Sequence, residues 1–212
     1  MNVRQKPEEK IWADFKQESG VTDEQLEKIQ SYAMLLLQRN EEFNLTAIRE
    51  LSGVVRQHFQ DSIALRDFVD LTKITTICDI GTGPGFPGLP LKILFPHLKV
   101  ILLEVTKKKQ QFLSEVISLL GLEDVEICDL DWRTFVRTTS YDIDLFVTRA
   151  ALNETELSRA FRATCPYNKA PIVYWVSEEW EVIPKFADLV TKIETYKLGK
   201  KTRRLAFFQA NK

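Results

Sequence analysis

Five short apolar runs, at residues 74–80, 100–104, 125–128, 143–147 and 172–176, are separated by stretches with helical periodicity. Strands joined through helices return to the sheet by crossovers, and the usual result is a parallel sheet with helices on both faces. An α/β fold is therefore expected. The clearest intervening helix spans 108–120, where Phe112, Leu113, Val116 and Leu120 fall on one stripe. After residue 190 the texture changes to two strand-like segments, 190–196 and 205–209, joined by LGKKTRR, which reads as an antiparallel hairpin at the sheet edge. Ahead of the first strand, Leu26, Ile29, Ala33 and Leu37 mark one face of a helix over 22–43. Thr22 and Gln25 have capping-box spacing at its start. A second helix is expected over 53–69. Residues 1–70 thus read as a helical extension and 71–212 as the main domain, together one structural unit.

The first strand runs into DIGTGPGFPG, with Asp79 two places ahead of glycines 81, 83 and 85. Residues without Cβ let the chain turn sharply and let a ligand approach the backbone. A dinucleotide fingerprint needs a third glycine where Phe86 stands, and a phosphate-binding P-loop needs a Lys followed by Ser or Thr, which this loop lacks. Both phosphate readings are weakened. A ligand with an adenosine and an amino acid but no phosphate suits the loop better, and Glu104, ending the second strand, can accept two hydrogen bonds from ribose hydroxyls. The pattern points to S-adenosyl-L-methionine, with Asp79, Gly81, Thr82, Gly83, Gly85 and Glu104 as candidate cofactor residues. The plainer alternative is a tight strand-helix turn followed by a solvated acid.

The glycine loop together with FNLTAIRE, HFQDSI and VTRA resembles the bacterial RsmG (GidB) family, from about Glu42 to the C-terminus. The resemblance implies a Rossmann-like class I methyltransferase sheet and methyl transfer to N7 of a guanine in the decoding-region loop of 16S ribosomal RNA. It places Gly81 and Phe86 at cofactor-loop positions and Arg149 in the catalytic site, where a guanidinium can hold guanine O6 or a phosphate, and its motifs take in Asn44, His58 and Asp61 as candidate RNA contacts, the last two equally readable as a helix-stabilising polar pair. His58 and Asp61, three apart on a helix, are spaced to pair with each other. Two departures stand out. Where the family usually has a small residue and an acid near the adenine, this chain has Trp132 and Arg133, so adenine recognition is expected through backbone amides or stacking on Trp132. Where the family often has lysine and glycine after the fifth strand, this chain has Val176 and Ser177.

A net charge of −1 over 212 residues provides no global field for a polyanion, so RNA contact must be local. Lys107, Lys108 and Lys109 open one helix, and Lys200, Lys201, Arg203 and Arg204 crowd the C-terminal hairpin; either group is a candidate for phosphates or a plain solvated face. Cys78, Cys128 and Cys165 are odd in number and lack a CxxC spacing, which points to buried thiols rather than a metal site. No run reaches the roughly 18 apolar residues of a membrane span, and the N-terminus lacks an apolar signal region. A cytoplasmic monomer without metal is expected, with 16S ribosomal RNA or the small ribosomal subunit as partner. A small-molecule methyltransferase and a cofactor-binding ribosome-associated module with reduced catalysis are the alternatives.

Overall fold

The computed structural model describes residues 7–149 and 152–210. Seven strands form one sheet in the order β3-β2-β1-β4-β5-β7-β6. β1 (Thr76–Ile80), β2 (Lys99–Leu103), β3 (Val125–Cys128), β4 (Leu145–Arg149) and β5 (Ile172–Val176) are parallel. β7 (Lys201–Phe208) runs antiparallel between β5 and the edge strand β6 (Val190–Leu198). The apolar runs are continuous because both faces are covered: Ile77, Val100, Leu102, Val147 and Val173 enter one buried cluster, while Cys78, Ile101, Leu103, Phe146 and Ile172 enter the other.

The first cluster also takes in the N-terminal helices α1 (Pro7–Ser19) and α2 (Asp23–Phe43) and the helices α5 (Gly88–Leu94) and α6 (Lys107–Leu120). The predicted capping box is present, with Gln25 N donating to Thr22 Oγ1 at 3.2 Å and Thr22 N donating to Gln25 Oε1 at 3.0 Å. Such a cap stabilises a helix by about 1 kcal/mol. The fully buried positions of α2 are Ile29, Tyr32, Ala33, Leu36 and Asn40, so the inward face is turned slightly from the expected one and Leu26 and Leu37 lie at its margin. α1, whose pattern is largely polar, was not foreseen as a separate helix; Phe15 is its buried apolar anchor.

The expected helix over 53–69 is a helical run from 51 to 67 in four pieces: α3 (Leu51–Val54), a π-helical turn (Val55–Gln60), α4 (Asp61–Ile63) and a 3-10 turn (Ala64–Asp67). The opposite face carries α7 (Trp132–Thr138) and α8 (Glu154–Leu157), followed by a 3-10 turn (Ser158–Phe161). LGKKTRR is not the long connection expected from the sequence. The strands pair through it, Leu198 opposite Lys201, so only Gly199 and Lys200 form the turn. Gly199 supplies the left-handed conformation, φ 60°, that a two-residue hairpin requires.

Candidate active site

β1 has β2 on one side and β4 on the other, and the chain leaves these neighbours toward opposite faces. A crevice opens at the carboxyl ends of strands where the order switches in this way. The turn after β1 is built by Asp79, which is fully buried. Its Oδ2 accepts from the Thr82 hydroxyl at 2.7 Å and from Gly88 N at 2.7 Å, tying the loop to the start of α5. Burial pushes the Asp79 carboxyl up to about 6, against the lowering effect of those two donors.

Glycines 81, 83 and 85 all have positive φ. They differ in what surrounds them. A Cβ on Gly85 would collide with the Tyr32 hydroxyl and lie 2.6 Å from Leu89 Cδ1, whereas one on Gly83 would meet nothing within 4 Å. Gly88, which the sequence reading passed over, does the close-packing work sought at position 86. A Cβ there would stand 2.8 Å from Leu102 and 2.9 Å from the Asp79 carboxylate. Gly85→Ala is therefore expected to lose about 2 to 5 kcal/mol of folding stability, from overpacking and an unfavourable φ together, and Gly83→Ala only about 1 to 2 kcal/mol. Urea denaturation of the two variants checks this, and equal losses would contradict the packing argument.

Glu104 follows β2 and is 6% exposed. Its Oε2 accepts from Gly83 N at 3.1 Å and its Oε1 from Thr106 N at 2.8 Å, while Lys109 Nζ lies 3.7 Å away. The carboxylate thus clamps the glycine loop and still keeps acceptor capacity on each oxygen. It lines a cavity of about 190 Å³ with Gly81, Asp131 and Trp132 and the aliphatic side chains of Ile80, Leu103, Val105, Leu130 and Leu152. Asp131 had not been singled out. It caps α7 by accepting from Arg133 N and Thr134 N, a role legible in the spacing of Asp131 and Thr134.

Several expected cofactor residues face elsewhere. Thr82 is buried with its hydroxyl on Asp79. Phe86 lies 2% exposed between Tyr32 and His58, ring centroids 5.2 and 4.6 Å away, so it locks the loop to the N-terminal helices. Arg133 turns away from the cavity and makes a two-pronged pair with Glu156, at 2.8 and 2.7 Å. The indole of Trp132 does line the cavity, its ring nitrogen fixed by donating to the Glu156 carbonyl at 2.7 Å.

Arg149 ends β4. Ile80 pairs with Thr148, so Arg149 stands one residue beyond the point where β1 gives way to Gly81. Its guanidinium donates to the Gln57 carbonyl at 2.8 Å, to His58 Nδ1 at 2.9 Å and to Asp61 Oδ2 at 3.3 Å, and lies 5.6 Å from the Phe86 ring centroid. His58 and Asp61 do not pair with each other, as their spacing had suggested. Both turn to Arg149, because one planar fork of donors satisfies the two acceptors together. Asp61, 2% exposed, also accepts from the Tyr196 hydroxyl at 2.6 Å and lies 3.7 Å from Arg203. Gln57, His58, Asp61, Arg149, Val176 and Ser177 are among the residues around a second cavity, of about 360 Å³.

A guanidinium only donates, so His58 Nδ1 must be unprotonated and the ring proton sits on Nε2, directed to Thr46 Oγ1 at 2.8 Å. Burial, assisted by the charge of Arg149, pulls the imidazole down to about 3. An unfolded histidine takes its proton near 6.5, so the unfolded chain protonates first as pH falls and stability drains between about 6.5 and 3. Asp79, raised to about 6, acts in the opposite sense: its contribution is present at low pH and is lost as pH rises from about 4 to 6. Comparing wild type with His58→Gln isolates the first effect. Between pH 7 and pH 4 the wild type should lose about 3 kcal/mol more than the variant in urea melts. Parallel pH profiles would mean that the imidazole is not held neutral.

The remaining RNA-contact candidates divide. Asn44 ends α2 in the left-handed conformation, φ 51°, with its side chain held by Arg49 at 3.0 Å. Arg204 donates to the carbonyls of Glu178 and Trp180 at 2.9 and 2.8 Å, anchoring a loop instead of facing solvent. Lys108, Lys200 and Lys201 are exposed.

This sheet order, with the glycine turn and the acid after β2 at its switch point, defines the class I methyltransferase fold. Solved structures of low sequence identity share the architecture. The METTL16 MTase domain aligns with a TM-score of 0.57 at 14% identity, covering 85% of this chain and 79% of that one. MtNAS, in a mutant form in complex with S-adenosylmethionine, aligns with a TM-score of 0.55 at 16% identity, covering 94% and 84%. The chain belongs to the GidB family, rRNA small subunit methyltransferase G, which matches residues 25–169. Ribosomal RNA small subunit methyltransferase G of Listeria innocua is 41% identical over 145 residues, 66% of this chain and 61% of that protein. The protein of the same name from Exiguobacterium sibiricum is 48% identical over 105 residues, 50% and 44% of the two chains. The chain thus spans less than two thirds of the length of these relatives. Among the described residues, no helix is long and apolar enough to cross a membrane, and no group of three or more His, Cys, Asp or Glu is placed to hold a metal ion.

Proposed function

We propose that this chain transfers a methyl group from S-adenosyl-L-methionine to N7 of a guanine in the decoding-region loop of cytoplasmic 16S ribosomal RNA. The observation that carries the reading is that the paired strands β1 and β4 end in residues of two cavities of different chemistry, Gly81 after β1 on one and Arg149 of β4 on the other. One has aliphatic walls, an indole and two carboxylates; the other holds Arg149 and the polar groups fixed around it.

The residues of the first cavity fit the cofactor. Glu104 has acceptor capacity left for two ribose hydroxyls, Trp132 and the aliphatic walls present a slot for adenine, and Gly81 leaves its backbone open to the amino-acid portion. When bound, the sulfonium supplies an electrophilic methyl group. N7 of guanine carries an in-plane lone pair and no proton, so no general base is needed, and a neutral, buried His58 is consistent with that. The work left to the chain is alignment, which contributes roughly 7 to 11 kcal/mol in favourable cases. In this reading Arg149, held in place by Gln57, His58 and Asp61, orients the base through its unused N–H groups, directed at O6 or a phosphate and away from N7.

The test is transfer of tritiated methyl from the cofactor to 16S RNA and to small subunits taken from cells that lack this protein, followed by mapping of the labelled base. Label at a guanine N7 in the decoding-region loop is the expected result. Label confined to small molecules, or cofactor binding without transfer to either substrate, would overturn it.

A further inference from the structure

A third and larger cavity, of about 990 Å³, lies between α7 and the segment that follows α8. Four arginines line it, Arg133 and Arg137 from α7 and Arg159 and Arg162 from the other side, together with Val136, Cys165 and Pro166. Only part of this charge is neutralised. Glu156 accepts from Arg133 at 2.7 and 2.8 Å and from Arg159 at 2.8 and 3.3 Å, and its carboxyl is held down at about 2 by those two partners. Arg137 is bound through its Nε to the Arg133 carbonyl at 3.1 Å. Among the described residues neither Arg137 nor Arg162 has a carboxylate within ion-pair distance, and both are exposed. Asp131, the acid on the lining, caps its own helix; its carboxyl is held below the usual range by the Thr134 hydroxyl and the first amides of α7, with a smaller contribution from the charge of Arg137.

The cleft is thus locally cationic in a chain whose net charge is −1. Glu156 fixes two of the guanidiniums, while Arg137 and Arg162 have no ion-pair partner among the described residues and share the lining with Val136 and Pro166. Planar forks match phosphate oxygens two at a time, and apolar side chains beside them accommodate sugar and base edges between successive phosphates. The cleft and the proposed cofactor cavity share Asp131, so a strand lying in one passes the rim of the other.

We propose that this arginine cleft binds the phosphodiester backbone of an RNA segment flanking the methylated base, with Arg137 and Arg162 as its two phosphate contacts. The proposal rests on the reading of ribosomal RNA as substrate. It gives that substrate a docking surface on the α7 face, apart from the lysines of α6 and the hairpin.

The test uses the double variant Arg137→Gln/Arg162→Gln, which leaves the pairs with Glu156 untouched. Binding of wild type and variant to deproteinised 16S RNA and to small subunits is measured from 50 to 200 mM salt, with cofactor affinity measured in parallel by calorimetry. Loss of two phosphate contacts should flatten the slope of log affinity against log salt by about 1.4 to 1.8. Over that range the wild type would then lose about tenfold more affinity than the variant does. Unchanged cofactor affinity shows that the variant is folded. RNA binding by both proteins with the same slope would overturn the cleft while leaving the methyltransferase reading intact. A difference seen on small subunits but not on free RNA would overturn it in favour of an acidic protein surface. Failure of the wild type to bind either would remove both readings.

Discussion

Glu104→Ala is expected to weaken cofactor binding by at least about a hundredfold. The carboxylate would hold two ribose hydroxyls through charge-assisted hydrogen bonds, each contributing about 1.5 to 3 kcal/mol. It also closes the glycine loop through Gly83 N and Thr106 N, so its removal frees the turn that the ligand needs in place. Glu104→Gln separates the two contributions. One amide oxygen can still accept from one of the two backbone donors, but the charge and the second acceptor are gone, so affinity should fall to an intermediate value. Calorimetry with S-adenosylhomocysteine, beside a thermal melt to confirm folding, reads both variants. Wild-type affinity in a folded Glu104→Ala protein would move the ribose site elsewhere.

Arg149→Lys should remain folded, bind cofactor normally and transfer methyl about a hundredfold more slowly, the scale expected when a reacting group is misplaced by about 1 Å. The arginine joins β4 to the π-helical turn through Gln57, His58 and Asp61. A lysine offers one point charge in place of a planar fork and can satisfy only part of this set. Some stability should therefore go as well, about 1 to 3 kcal/mol if the buried Asp61 keeps its bond from Tyr196. Single-turnover rates at saturating cofactor separate the effects. A full rate in a destabilised protein would make Arg149 a purely structural tie, whereas a slow rate with unchanged cofactor affinity supports a role in placing the base.

Much of this architecture was legible because its signals are local. The β-runs, the 108–120 stripe and the Thr22 capping box each lie within one short segment, and each appears in the structure with ends shifted by a few residues or fewer. The hairpin was foreseen but its turn was not, since LGKKTRR carries polar, charged residues that pair in an edge ribbon as readily as they form a loop. The tight glycine turn after β1 was legible, yet Gly88 was missed. Its requirement comes from Leu102 and Asp79, which reach it only after the sheet has formed.

Arg133, Phe86 and Thr82 mark where the linear reading stopped. Each was expected among the cofactor residues, and each points its side chain elsewhere: Arg133 to Glu156, Phe86 between Tyr32 and His58, Thr82 to Asp79. By itself the sequence determined the parallel α/β sheet, the glycine turn after β1 and the acid after β2, because strand periodicity and loop chemistry depend on near neighbours. Only the tertiary structure decided which groups meet across the switch point. The Arg149 cluster joins residues 57, 58, 61, 149 and 196, and the arginine cleft joins α7 to the chain beyond α8. Those meetings follow from the crossovers that bring distant segments to one end of the sheet, and a crossover leaves no mark on the local spacing of the residues it brings together.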